Sequence, residues 1–598
     1  MSLADYEVSK QPKLRYFCIY NPDFDVQGDN LEEQIAFYYS PNETTIHEQL
    51  RHIGVAQGVV ELSKEFSDGS PCHTMETQNS CVVVKEIEQP NWWVVACVEE
   101  KEREVGDSDE SVMLPSELFT MSIPELLIAQ IQEGYRRWRL YHGRFQDYMV
   151  DLENKNKQES HKQLLDGLTP WWTAWCKNWQ VSFHEQGVVS MFNDYIRLAK
   201  GQLLQATSEA VQAVVDKEAM VDMIVTGNGS PNPENNGCLW YSRNKDHKGG
   251  LSSDSIIDLV DWVNDCYDCH NDNAFLEPSG FVYHLKSLET SSKTSTKDIP
   301  TGSSLLSAAN YDMNSLTAPL ANMGTAISNA TIDSVNNFME RVNLKSFSIG
   351  RGKTPVVQQL SNPDDLGDSR FLIGLMGDLE GDGSSEEPRP PPITKRSLFV
   401  KRKEADSYIQ VNVVVYRRRP FTFILLFDTG NHHHQTLDNP DYYVTLHRRL
   451  ASLSEPFLSD FNDPSQERPK FYYLVVDPST QSLQSSLPSI PDLPPPHLIQ
   501  THQTSVERTI QERLEMIHVH QNLCQIWIES NTIEQEKFVR TSRNWWIYLT
   551  RLPDNRKVLF ARKWSKQGKP PGDSSGLLGA VGRDAKIWLD EYKYYGKV

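Results

Sequence analysis

Strand-like runs in this chain come in adjacent pairs joined by short turns and followed by helical stretches, which disfavours one long doubly wound parallel sheet. Residues 14–20 and 34–39 are aromatic and β-branched runs separated by Asn21-Pro22 and a polar connection. Residues 44–66 then carry helical periodicity, with Ser40-Pro41-Asn42 and Glu48 marking its start. Two more strand patterns, 81–87 and 91–98, flank the turn-like Glu88-Gln89-Pro90, and a weak strand pattern near 73–77 is left unassigned. An amphipathic helix over 123–145 closes the block, with Leu127, Ile131, Tyr135 and Trp138 on one face.

The order recurs twice more, which predicts an α/β (α+β) protein of three small, mostly antiparallel sheets flanked by helices. The first unit spans 14–150, and 151–190 reads as a helical connector whose Trp171, Trp172, Trp175 and Trp179 suit a core or a seam. The second unit starts at 191–285, with a helix around 191–217, strands at 223–227 and 238–243, and a helix over 253–267. Residues 286–369, rich in Ser, Thr, Asn and Gly, read as a disordered insertion. The second unit resumes over 370–461 after an acidic linker at 377–392, and the third occupies 470–598 with a Ser/Pro linker at 480–500. In the third, a strand at 470–476, a helix at 505–529, a hairpin from 544–550 and 557–561, and a helix at 583–595 are expected.

The 598 residues carry 80 acidic and 59 basic side chains, a net charge of -21 that disfavours sequence-independent nucleic-acid binding. No run reaches the ~20 apolar residues of a membrane-spanning helix. The polar N-terminus and nine sparse cysteines suit a cytosolic protein with reduced core thiols. Motifs for covalent or metal chemistry are weak. Cys266-x-x-Cys269-His270 has no second CxxC, and the consecutive His432, His433 and His434 cannot all face one metal. The segment 348–354 lacks the first glycine of a phosphate loop, and a calcium-type loop from Asp378 places Arg389 where a bidentate Glu belongs. No cofactor, metal site or catalytic residue is expected.

The helix over 44–66 is more informative. At about 100° per residue, Ile46, Leu50, Ile53 and Val60 form one stripe, and Val55, Val59, Leu62 and Phe66 form another on the opposite side. One stripe covers the sheet; the other is open either to a partner or to burial within the chain. Gly54 and Gly58 weaken this helix and permit close approach. Basic residues gather at Arg417, Arg418 and Arg419, and at Arg556, Lys557, Arg562 and Lys563; a solvated face and a contact with anionic lipid are the two readings.

Phe17-Cys18-Ile19-Tyr20-Asn21-Pro22, the run Ala36 to Glu43, Arg51 and Gly54 in the helix, and Trp92-Trp93-Val94-Val95 together resemble the first longin domain of the calcium-caffeine-zinc-sensitivity vacuolar fusion proteins. Phe371-Leu372, the pattern over 397–461 and Lys470-Phe471-Tyr472-Tyr473 are similar to that family's second and third longin domains. The resemblance implies a subunit that pairs with a monensin-sensitivity longin protein. The pair acts as a guanine-nucleotide exchange factor for the late-endosomal and vacuolar Rab GTPase, without covalent chemistry. It implies a cytoplasmic protein, peripheral on late endosomes and vacuoles and supporting vesicle transport, fusion and autophagy. The first domain would supply the dimer seam and half of the Rab platform, and the others would face an anionic or phosphoinositide membrane. The other reading is a longin scaffold that binds partners and membrane without exchange activity. From the helix geometry, Val55, Val59, Leu62 and Phe66 are the expected partner or Rab contacts, and from the basic clusters Arg417, Arg418, Arg419, Arg556, Lys557, Arg562 and Lys563 are the expected membrane contacts.

Overall fold

The computed structural model describes residues 13–24, 31–66, 73–77, 80–99, 124–154, 157–182, 187–200, 205–218, 220–228, 233–242, 250–268, 369–376, 392–403, 405–429, 436–461, 470–491, 504–530, 536–564 and 581–595. The insertion at 286–368, the His432–His434 run, the phosphate-loop-like segment and the Asp378 segment lie outside the described residues.

The first sheet is antiparallel throughout, in the order β2-β1-β5-β4-β3, from β1 (Lys13–Tyr20), β2 (Ile35–Tyr39), β3 (Thr74–Glu76), β4 (Ser80–Glu88) and β5 (Trp92–Glu99). The period of two divides β1 cleanly. Phe17 and Ile19 enter one core, and Tyr16, Cys18 and Tyr20 the other. Helix α1 (Ile46–Phe66) covers the second face through Ile53, Ala56 and Val60. The first face receives α2 (Pro124–His142), α3 (Phe145–Asn154) and α4 (Lys157–Ser182), with Trp171, Trp172, Trp175 and Trp179 of α4 in its core. Residues 157–182, expected as a connector, thus pack on the first sheet. Trp172 stacks on Phe17 with ring centroids 5.1 Å apart.

The second sheet runs β10-β11-β12-β7-β8, from β7 (Asp222–Gly227), β8 (Gly237–Tyr241), β10 (Arg396–Lys401), β11 (Tyr408–Arg418) and β12 (Phe421–Asp428), with β9 (Arg370–Ile373) paired to β11. Helices α5 (Gln205–Lys217) and α7 (Pro440–Phe461) pack on one face, and α6 (Ser253–Asp268) on the other. The third sheet runs β15-β16-β17-β13-β14-β6, from β6 (Ile196–Arg197), β13 (Tyr472–Asp477), β14 (Ser482–Ser485), β15 (Glu536–Arg540), β16 (Trp545–Arg551) and β17 (Lys557–Lys563). It lies between α8 (Thr504–Glu529) and α9 (Arg583–Tyr595).

Three expectations change here. The helix expected around 191–217 forms only over α5; before it, Val188–Phe192 is a 3-10 turn whose Val188 and Phe192 enter the third core, and β6 pairs parallel with β14. The Ser/Pro linker contains β14, and β15 had no sequence signal strong enough to assign. All three strands have five residues or fewer, too few for alternation to stand out. The extension of β6 bridges two sheets, since Leu198 pairs with Cys238 of β8 and its amide donates to the Leu483 carbonyl at 2.8 Å. Gly237, at φ +138°, makes this approach possible, because a Cβ there would fall 2.8 Å from the Arg197 carbonyl oxygen.

Helix α2 holds the units together. The sequence predicts one buried face, but its buried residues run all the way round, as expected of a helix enclosed on every side. Leu127, Ile131, Tyr135 and Trp138 enter the first unit's core, Leu126 the third's and Leu140 the second's. Its arginines face α6. Arg139 donates to Asp258 through Nη2 at 2.6 Å and Nε at 3.2 Å, Arg136 meets Asp261 at 2.6 Å, and Arg137 pairs with Asp265. Burial pushes the Asp258 carboxyl up, against the pull of Arg139 and Arg136. The helix ends at Gly143, φ +83°, and Glu88 of β4 caps α3 by accepting from the Phe145 and Gln146 amides at 2.8 and 2.9 Å.

Two predictions follow from this packing. Removing one partner of a buried ion pair leaves the other uncompensated, so Asp258→Ala should lower the free energy of urea unfolding by about 3–5 kcal/mol, with Arg139→Met in the same background recovering part of the loss. The second concerns His520 of α8, whose Nδ1 accepts from the Val188 amide at 3.0 Å while Nε2 donates to the Pro488 carbonyl at 3.1 Å. Burial lowers its pKa from 6.5 to about 4, so the unfolded chain binds the extra proton. Stability contributed by the neutral ring is complete above pH 6.5 and is lost as pH falls toward 4, by up to about 3 kcal/mol. His518 and His142 are lowered in the same direction by burial. His520→Gln, which keeps an acceptor and a donor, should flatten its share of this acid loss in urea midpoints measured from pH 7 to 4.

Candidate partner-binding surface

Helix α1 begins with a reciprocal capping box that uses the expected Glu48 together with Thr45, a few residues after Ser40-Pro41-Asn42. The Glu48 amide donates to Thr45 Oγ1 at 3.4 Å, and the Thr45 amide donates to Glu48 Oε2 at 3.1 Å. The Thr45 amide and hydroxyl, both donating to its carboxylate, hold Glu48 below its ordinary range. One turn on, His52 stacks on Tyr16 at 4.0 Å with the rings 3° apart, and its Nδ1 lies 2.9 Å from the Tyr38 hydroxyl. Burial, with Arg51 and Arg15 nearby, lowers the His52 pKa and favours the neutral ring. Farther along, Gln57 donates to Gln34, tying α1 to the 3-10 turn Leu31–Gln34.

With that side fixed to the sheet, the opposite side faces outward. Val55 is 56% exposed, Leu62 57% and Phe66 82%, while Val59 is half-buried. The structure therefore places all four expected residues on the one long face of α1 that its own sheet does not cover. Gly54 and Gly58 are exposed on this face, and a Cβ at either would meet nothing within 4 Å. Neither glycine is required by crowding or by positive φ, yet each costs about 1 kcal/mol relative to Ala in a helix interior. Burying Leu62 or Phe66 fully contributes about 1.5–3 kcal/mol each. Leu31, 54% exposed in the neighbouring 3-10 turn, was not legible as part of this surface, since a lone apolar residue between Asn30 and Glu32 carries no periodic signal.

The basic residues fare differently. Arg417 is 5% exposed on β11 and Arg556 3% exposed, which corrects the expectation that both face a membrane. Arg556 donates to Asp554 at 2.8 Å and lies over the Tyr592 ring at 4.9 Å. Lys557, half-buried, lies 4.5 Å over Trp527. Arg562 donates to Asp584 at 2.6 Å and to the Val581 carbonyl at 2.8 Å. Lys563 is exposed and pairs with Glu515; Arg418 is half-buried and Arg419 exposed. A run of arginines along a strand alternates between faces, so at most part of it can point outward. Among the described residues no group of three or more His, Cys, Asp or Glu could hold a metal, and no helix is long and apolar enough to cross a membrane. Cys266 is buried in α6, and its would-be partners Cys269 and His270 fall outside the described residues.

Comparison with known proteins points to the unit that carries α1. The family described as the first longin domain of INTU, CCZ1 and HPS4 matches residues 14–143. The vacuolar fusion protein CCZ1 homolog of Xenopus laevis is 27% identical over 145 residues, 24% of this chain and 30% of that protein. That of Xenopus tropicalis is 28% identical over 145 residues, again 24% and 30% of the two chains. The Dictyostelium discoideum homolog is 24% identical over 158 residues, 26% of this chain and 33% of its own. The chain thus matches about a third of the length of these relatives. Residues 14–143, which carry the antiparallel sheet, α1 on one face and α2 on the other, thus match a first longin domain, with modest identity to vacuolar fusion protein CCZ1 homologs.

Proposed function

We propose that the chain is one subunit of a heterodimeric guanine-nucleotide exchange factor that pairs with a second longin protein of the monensin-sensitivity type. It would act on the late-endosomal and vacuolar Rab GTPase at the cytoplasmic face of those membranes. The observation that carries this reading is the outward apolar face of α1, on the domain that matches CCZ1 homologs named as vacuolar fusion proteins. Exchange of this kind forms and breaks no covalent bond. It works by binding the nucleotide-free switch conformation of the GTPase more tightly than the GDP-bound one, which lowers the barrier to GDP loss. A helix that keeps Leu62 and Phe66 in water, and bears two glycines that sterics do not demand, is built to be covered by another protein.

The test is release of labelled GDP from the Rab with the chain alone, the partner alone and the pair. Acceleration by the pair is expected, and Leu62→Asp with Phe66→Asp should reduce it at least about tenfold, as follows from losing more than about 1.4 kcal/mol of contact, with the thermal melt still cooperative. Unchanged GDP release with an intact heterodimer would overturn the exchange reading and leave the scaffold.

Membrane contact is proposed for the exposed cations alone. Arg419→Glu with Lys563→Glu should weaken sedimentation with anionic liposomes several-fold, at about 1 kcal/mol per cation near the surface. Arg556→Glu should instead lower the melting temperature, since it breaks the Asp554 pair and the stack on Tyr592.

A further inference from the structure

The exposed face of α1 is self-complementary when read about its midpoint. About Gly58, Gly54 stands at the same distance as Leu62 and Arg51 at the same distance as Glu65, and these two pairs carry the complementarity; Val55 and Glu61, also equidistant, do not match. Arg51, Gly54, Gly58, Leu62 and Glu65 project within about 40° of one direction at ~100° per residue, and all five are exposed. A cation therefore stands at one end of the face, an anion at the other, a bulky apolar side chain on one side of the midpoint and an open glycine on the other.

We propose that this face pairs antiparallel with α1 of a second copy of the chain, crossing at Gly58. At ~1.5 Å rise per residue, Leu62 of one copy and Gly54 of the other both lie about 6 Å from the crossing on the same side, and Arg51 and Glu65 about 10.5 Å from it. The open volume over Gly54 receives the Leu62 side chain, and the bare Gly58 backbones let the two helix axes approach closely. Arg51 of each copy faces Glu65 of the other, and the two-fold axis makes both pairs equivalent. A parallel pair is disfavoured by the same charges, since it would set Arg51 against Arg51 and Glu65 against Glu65. One 21-residue helix against another makes a small interface, so the association is weak and reversible. The pairing does not rest on exchange activity. It uses the same face, so any protein that takes α1 must displace the second copy.

Sedimentation velocity of the full chain over a concentration series tests this. A monomer–dimer equilibrium is expected, weakened at least tenfold by Arg51→Glu or Glu65→Arg alone and restored by the two together. Gly58→Leu should abolish the dimer while raising the melting temperature, because it removes a helix glycine; this separates association from folding. A chain that stays monomeric throughout overturns the proposal. So does a dimer indifferent to these changes, or a double charge swap that fails to restore it.

Discussion

The arrangement of this protein depends on one helix being buried on every side. Helix α2 sends Leu126, Leu127 and Leu140 into three different cores, so none of the three sheets packs fully without it. Hydrophobic contact is not directional, however, and would tolerate some sliding of one unit over another. The arginines of α2 remove that freedom. Arg136, Arg137 and Arg139 each meet a carboxylate of α6, and Asp258, whose side chain is 1% exposed, accepts from Arg139 and lies 3.8 Å from Arg136. Such a buried network adds little net stability compared with apolar packing, but a misplaced register would leave charges without partners.

The same constraint decides which face of the first unit is available. Because α2 and α4 occupy one side of the β2-β1-β5-β4-β3 sheet, α1 is, among the described residues, the helix that covers the other, and it covers it with Ile53, Ala56 and Val60. The capping box at Thr45 and the Tyr16–His52 stack fix the helix on the sheet, so the face bearing Leu62 and Phe66 is turned outward by default. The outward surface is thus a consequence of how the inward surfaces were used. The Leu198–Cys238 bridge and the β6–β14 pairing do the same for the second and third sheets, joining them edge to edge.

Much of this was legible in the sequence where runs were long. Continuous apolar runs of strand length marked β11 and β12, and helical patterns marked α1, α6, α7 and α8 within a few residues. The two-stripe character of α1 was also readable, because Val55 and Leu62 lie opposite Ile53 and Val60 on any helical wheel. Whether that second stripe was covered could not be read, since coverage depends on residues far away in the chain. The same limit misplaced Arg417 and Arg556. A charge run looks solvated until a strand's alternation, or an aspartate two residues away, takes a guanidinium inward.

The sequence by itself determined the local elements, the paired-strand units and the family of the first domain, because periodicity, turn residues and short aromatic motifs are properties of neighbours in the chain. Only the tertiary structure decided that α2 serves three cores, that two sheets meet through a two-residue strand, and which basic side chains reach solvent. Those outcomes rest on contacts between residues tens to hundreds of positions apart. Their energies come from packing and desolvation at a meeting point that no local window of sequence contains.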